Sequence, residues 1–157
     1  VEMKHEEISL LSVMEQVRAS LSVLSELKGV EILLDIPSEI TIKGDRHWLS
    51  EAMMNIVKNG IEHNDKPDGG SFAYVRITAT QTPIFVRVKI EDNGSGIGEQ
   101  DLPHIFERFY KAKNAPPQSV GIGLALAKQI IVSLNGKIDV QSKKQQGSVF
   151  TVTFYSV

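Results

Sequence analysis

Asp92-Asn93-Gly94-Ser95-Gly96-Ile97-Gly98 places one carboxylate ahead of three alternate glycines, just after an apolar run from Ile84 to Ile90. Glycine reaches left-handed dihedrals without steric cost and has no side chain to hold a neighbour away. The pattern therefore describes a hard turn that lets another group come close. A carboxylate accepts hydrogen bonds only, which suits it to reading the exocyclic amine of a purine through a charge-assisted bond. The same residues also fit a plain hairpin turn, with Asp92 as an Asx-turn acceptor.

Two further stretches bear chemistry. Asn55 and Asn59 lie one helical turn apart, and Gly121-Ile122-Gly123-Leu124 opens a helix whose first N–H groups are free for phosphate oxygens. A buried amide needs partners, because an unsatisfied polar group costs about 1–3 kcal/mol. The two asparagines could meet that need by capping nearby backbone. Asn59 could equally give its carbonyl oxygen to a hard cation. Mg²⁺ prefers oxygen ligands, keeps several waters and shares phosphates with a nucleotide, so one or two amides suffice.

The elements that must position these residues follow from periodicity. A short edge strand spans Glu6 to Ser9, and a helix runs from about Leu10 to Lys28 with Leu10, Leu11, Met14, Val17, Leu21 and Leu24 at helical spacing, closed by Gly29. Val30 to Ile36 and Ile40 to Lys43 read as strands around a turn at Pro37-Ser38. Asp45 is placed to cap the next helix, which runs to about His63 with Trp48, Leu49, Ala52, Met53, Ile56 and Val57 on one face. Asn55 and Asn59 project within about 20° of Trp48, at the border of that face. Lys66 to Gly70 is a loop by composition, and Tyr74 to Thr82 pairs with Ile84 to Ile90 as a hairpin that delivers Asp92. Short helical turns are expected within Glu99 to Tyr110, and a polar, mobile stretch from Lys111 to Ser119 around Pro116-Pro117. A helix from about Gly123 to Leu134 closes at Asn135-Gly136, and Lys137 to Ser142 and Ser148 to Tyr155 form a last hairpin. Hairpins mixed with helices predict an α+β fold, a mixed sheet covered on one face by three helices.

Composition bounds the function. The 157 residues fit one domain, and 17 Lys plus Arg against 19 Asp plus Glu leave a charge of −2, without the basic excess of a nucleic-acid footprint. Cysteine is absent, which excludes disulfides, thiolate metal sites and a cysteine nucleophile. No apolar run approaches the roughly 18 residues that span a bilayer, and no signal-peptide pattern is present. The mixed-charge start at Val1 suggests a piece of something longer.

Four blocks, in order, resemble the ATP-binding catalytic domain of bacterial two-component sensor histidine kinases. Glu51-Ala52-Met53-Met54-Asn55-Ile56-Val57-Lys58-Asn59 resembles its N box and Asp92-Asn93-Gly94-Ser95-Gly96-Ile97 its G1 box. Phe106-Glu107-Arg108-Phe109-Tyr110 resembles the F box, and Gly121-Ile122-Gly123-Leu124-Ala125-Leu126 the G2 box. The resemblance implies the Bergerat-type two-layer α/β sandwich shared with gyrase and mismatch-repair ATPases, with ATP and Mg²⁺ between the N-box helix and a lid from about Glu107 to Val120. It implies that Asn59 is the magnesium ligand with Asn55 in support, that Asp92 reads the adenine amine, that His63 lies against adenine and that Lys111 approaches the phosphates. Gly94, Gly96, Ile97, Phe106, Tyr110, Gly121, Ile122, Gly123 and Leu124 complete the implied nucleotide set. Residues 1–157 would then be a single catalytic domain, a monomer by itself, with the dimerisation and phosphoacceptor helices upstream of Val1.

Three positions depart from the family pattern. Glu62 stands where many members carry a lysine directed at the phosphates, leaving Lys111, Lys113 or Lys58 to supply that charge. Ala125 replaces the third glycine of the G2 box, and Ile122 a common Ser or Thr. At position 55 the related ATPases place a glutamate that activates water. An amide takes no proton at neutral pH, so Asn55 favours transfer to an acceptor that needs no strong base there, such as a neutral imidazole. Of the four histidines only His5 faintly resembles the family's acceptor motif, without its following residues, and His47 and His104 are expected at the surface. The expected function is γ-phosphoryl transfer from Mg-ATP to a histidine on the absent acceptor domain. A response regulator would act downstream, in the cytoplasmic part of a membrane-anchored parent. A self-contained gyrase-type ATPase and a nucleotide-binding regulatory module without transfer activity are the alternatives.

Overall fold

The computed structural model describes residues 3–65, 72–110 and 123–156. The expected loop at Lys66 to Gly70 and the polar stretch from Lys111 to Ser119 lie outside them. Strand β1 (Glu6–Ser9) runs directly into helix α1 (Leu10–Ser20), which Ser9 caps by accepting from the Ser12 N–H at 3.2 Å. The single helix expected from Leu10 to Lys28 is two. Leu21, at φ −98° and ψ 7°, leaves the helical region and separates α1 from α2 (Ser22–Lys28). The apolar spacing carries across the break, because Leu21 is still buried although its backbone is not helical. Gly29, at φ 65°, ends α2 as expected.

Strands β2 (Val30–Asp35) and β3 (Thr41–Gly44) flank the Pro37-Ser38 turn without pairing with each other. β3 pairs antiparallel with β1 as a separate two-stranded sheet, while β2 becomes an edge of the main sheet. Helix α3 (Arg46–Glu62) follows. Asp45 caps it by accepting from the N–H groups of His47 and Trp48 at 3.0 and 3.3 Å. The main sheet takes the order β2-β4-β5-β7-β6, where β4 is Ala73–Gln81, β5 Phe85–Asp92, β6 Gly136–Lys143 and β7 Gly147–Tyr155. β2 and β4 are parallel and the other three pairings antiparallel. This is the mixed, mostly antiparallel α+β sheet that the order of elements predicts.

Alternation sets which side is covered. In β5, Val86, Val88, Ile90 and Asp92 are buried, while Lys89 between them is exposed. Val75 and Ile77 of β4 and Phe150, Val152 and Phe154 of β7 share that buried face. They pack against α1, α3 and helix α4 (Gly123–Ser133). Leu49, Ala52, Met53, Ile56 and Val57 of α3 are fully buried. Short turns, including a 3₁₀ turn at Leu102–His104, occupy the expected stretch. Among the described residues no helix is long and apolar enough to cross a membrane.

Truncating the buried α3 residue Ile56 to alanine leaves a cavity beneath the sheet, with a loss of about 2–5 kcal/mol in equilibrium urea unfolding. Val23→Ala, at a side chain that is 68% exposed, changes stability by less than about 0.5 kcal/mol in the same measurement.

Candidate nucleotide site

Helix α3 carries the amide pair along the edge of its buried face. Asn55 and Asn59 are both partly buried, and so is Trp48 on the same border. A methyl group built on Gly123, the first residue of α4, would lie 3.5 Å from Asn55 Oδ1. One built on Gly60 would lie 3.6 Å from Asp92 Oδ2. The N-terminus of α4 and the end of β5 therefore both meet α3, within two turns of each other along its axis.

Asp92 is the last residue of β5, still in register with Ser148 of β7 and Val75 of β4, so the carboxylate belongs to a sheet strand before the turn begins. It is 7% exposed. The Gly94 N–H donates to its Oδ1 at 2.9 Å. Burial pushes its pKa up to about 6, against the pull of hydrogen bonds from the Gly94 and Ser148 backbone. His63, the C-cap of α3, has its pKa pushed below the usual imidazole value by burial, which keeps the ring neutral at physiological pH.

The glycine turn after Asp92 is gripped from two sides. On one, the His63 carbonyl accepts from the Ser95 N–H at 3.4 Å and from its hydroxyl at 3.1 Å. Beyond it Asn64 and Asn93 join their amides at 3.0 Å. On the other side stands the β6–β7 turn. Ser142 Oγ accepts from the Ile97 N–H at 2.7 Å, donates to the Gly147 carbonyl at 2.9 Å and lies 2.8 Å from Ser148 Oγ. The Gln145 N–H donates to the Ser95 carbonyl. Gly147, at φ 90°, sits so close to Asp92 that a methyl group there would collide with its carbonyl oxygen.

Asn64, Asn93, Ser142 and Ser148 were not singled out by the sequence reading. The spacing of a glycine motif says nothing about a turn about 50 residues away in the chain, and Asn64 looks like an ordinary residue past a helix end. In the folded chain Gln145 and Gly147 take φ 68° and 90°, which makes this hairpin tight.

The F-box side chains are held by contacts of their own. Phe106 packs edge-on against Phe150 with Lys128 over its ring, and the Tyr110 hydroxyl donates to Asp101 while its ring stacks on His104 at 5.2 Å. Phe109 takes φ 68° and is 64% exposed. Leu124 is partly buried against the core, as is Ile97. The structure thus brings Asn55, His63, Asp92, Gly94, Gly96 and Gly123 around the end of α3, and engages Phe106 and Tyr110 in packing beside it. Lys111, Lys113, Gly121, Ile122 and the lid from 111 onwards lie outside the described residues. His5, His47 and His104 are exposed.

The donor set fits a magnesium nucleotide. Among the described residues no group of three or more His, Asp or Glu side chains could hold a metal alone. Partly buried amides on one helix edge match an ion that keeps its waters and takes the rest of its ligands from phosphate.

Residues 44–156 match the histidine kinase-, DNA gyrase B-, and HSP90-like ATPase family. The chain belongs to that family. Its relatives include the heme sensor protein HssS of Staphylococcus saprophyticus, 35% identical over 83% of this chain and 27% of that protein. The sensor histidine kinase YvrG of Bacillus subtilis is 31% identical over 70% of this chain and 18% of its own length. The ATPase domain described here therefore spans less than a third of either relative. Its fold matches the catalytic domain of the histidine kinase ThkA with a TM-score of 0.80 at 22% identity, over 99% of this chain and 98% of that one. It also matches full-length ShkA in complex with AMPPNP, with a TM-score of 0.82 at 22% identity, over 100% of this chain and 32% of that one. This is a Bergerat-type ATP-binding domain of the sensor histidine kinase kind.

In the folded chain the Asp92 carboxyl titrates near 6, against a reference of 3.8. Its neutral form fits the site best, so its contribution to stability is fully present below about pH 4 and is lost as pH rises through 6. Asp92→Asn removes this dependence and stabilises the nucleotide-free chain by about 2–3 kcal/mol at pH 8 relative to pH 4, read by urea unfolding against the parent across that range.

Proposed function

We propose that residues 1–157 form a single catalytic domain that holds Mg-ATP and passes its γ-phosphoryl group to a histidine on a separate dimerisation and phosphoacceptor domain. The observation that carries this reading is Asp92, a carboxylate almost withdrawn from water against the same helix that bears Asn55 and Asn59. A buried acceptor of this kind gains most from a ligand that brings its own donor, as the adenine amine does. Gly94, Gly96 and Ile97 form the wall beside the base, and the neutral His63 ring lies against it. Asn59, supported by Asn55, offers amide oxygen to Mg²⁺. Gly123 and Leu124, with Gly121 and Ile122, offer N–H groups to the phosphates, and Lys111 adds positive charge. Phe106 and Tyr110 anchor the start of the lid beside the site.

When bound, Mg²⁺ neutralises the charge of the phosphates during transfer. The chain's own residues orient the nucleotide and withdraw it from water. Asn55 takes no proton at neutral pH, so no side chain there activates water, whereas a neutral imidazole nitrogen attacks phosphorus without such help. The parent protein is a dimeric sensor anchored in the membrane, with this domain in the cytoplasm as a monomeric unit and a response regulator downstream.

In calorimetry, Asn59→Ala abolishes metal-dependent ATP binding. Asp92→Asn weakens ATP binding by about 1.5–3 kcal/mol, roughly ten- to a hundredfold. Labelled ATP, with the acceptor domain supplied, gives acid-labile phosphohistidine. Normal ATP binding without that product would leave a nucleotide-binding module. Steady phosphate release by the chain alone, lost in Asn59→Ala, would make it an ATPase.

A further inference from the structure

We infer that Asn64 is a positioning residue for the nucleotide base: through Asn93 it locks the end of α3 to the glycine turn and so sets where Asp92 stands relative to Asn55 and Asn59. This rests on the nucleotide reading above. Asn64 follows the C-cap of α3 and is 4% exposed. Its Nδ2 donates to Asn93 Oδ1 at 3.0 Å and to the Tyr74 carbonyl at 3.2 Å. Asn93 Oδ1 also accepts from the Tyr74 N–H at 2.9 Å, and its Nδ2 donates to the Phe72 carbonyl at 2.9 Å. The Tyr74 N–H fixes which end of the Asn93 amide is oxygen, and that in turn fixes Asn64 as the donor. Two amides therefore tie three segments together: the end of α3, the start of β4 and the residue beside Asp92.

The joint has no slack. A methyl group on Gly94 would lie 2.7 Å from the His63 carbonyl oxygen and 2.9 Å from Asn64 Cα, so the turn cannot slide along the helix end. Stability alone does not call for an amide here. Asn64 Oδ1 is buried with no partner among the described residues, and an unmade hydrogen bond on a buried acceptor is unfavourable. What the amide supplies is its pair of directed donors. Their loss acts first on Asp92, which reads the base, and only remotely on the phosphate end of the cleft.

The test compares Mg-ATP and Mg-GTP binding by calorimetry for the parent, Asn64→Ala, Asn64→Leu, Asp92→Asn and Asn64→Ala combined with Asp92→Asn. The Asp92 carboxyl is followed by ¹³C NMR against pH in the nucleotide-free chain. Asn64→Ala lowers the preference for ATP over GTP by about tenfold or more, the effect of one lost polar contact. The Asp92 midpoint falls from about 6 towards 3.8 as water enters. Asn64→Leu keeps the side chain's size but lacks the donors and adds no charge, and behaves like Asn64→Ala. The combined variant binds no worse than Asp92→Asn alone, because Asn64 acts through that carboxylate.

A folded Asn64→Ala with the parental preference and midpoint overturns the proposal. So does one that weakens both nucleotides equally with the midpoint unmoved, which is a structural role only. If Asn64→Ala does not fold, Asn64→Leu decides by the same two readouts. Unchanged ATP affinity in Asp92→Asn would instead overturn the nucleotide reading, while the NMR midpoint, needing no nucleotide, reports on the joint separately.

Discussion

A carboxylate held out of water at the end of a central strand is the constraint around which this domain is arranged. Desolvating Asp92 is unfavourable, as its raised pKa shows, and the cost is tolerated only because three elements converge on it. Helix α3 supplies Gly60, the turn supplies the Gly94 N–H, and the β6–β7 turn brings Gly147 against its backbone. A side chain at Gly94 or Gly147 would collide with its surroundings and one at Gly60 would press on Val75, so these glycines are spent on proximity as much as on turning. The result is a buried carboxylate that, beyond its hydrogen bonds from the Gly94 and Ser148 backbone, is suited to reading a donor on a ligand.

The same constraint explains why α3 is the element that matters. Its buried face carries the core under the sheet, its edge carries Asn55 and Asn59, and its last residues grip the glycine turn. Packing and the proposed recognition thus share one rigid body. A helix fully buried along one side does not shift its edge residues independently, so the spacing between amide pair and carboxylate is inherited from the core. The Ser142 hydroxyl does the corresponding work on the opposite side, with one donor and two acceptor contacts satisfied at once.

Much of this was legible in the chain. Alternation placed β4, β5 and β7, the Asp45 cap and apolar stripe placed α3, and the glycine spacing marked the turn, because each signal is local. The continuous helix from Leu10 to Lys28 was not correct, since apolar periodicity survives a single residue that leaves helical dihedrals while keeping its side chain inside. Strand neighbours were equally hidden. β2 and β3 are separated by a short turn yet lie in different sheets, a choice made by which distant edge each one meets.

What the sequence determined by itself is the set of parts: an amide pair one turn apart, a carboxylate before a glycine turn, and helices and strands to carry them. Residue type and period are enough for that. Only the tertiary structure decided that Asp92 is desolvated and that Asn64, Asn93, Ser142 and Ser148 hold its turn. Burial and hydrogen-bond partnership depend on residues brought together from far along the chain, and no local pattern records which ones will meet.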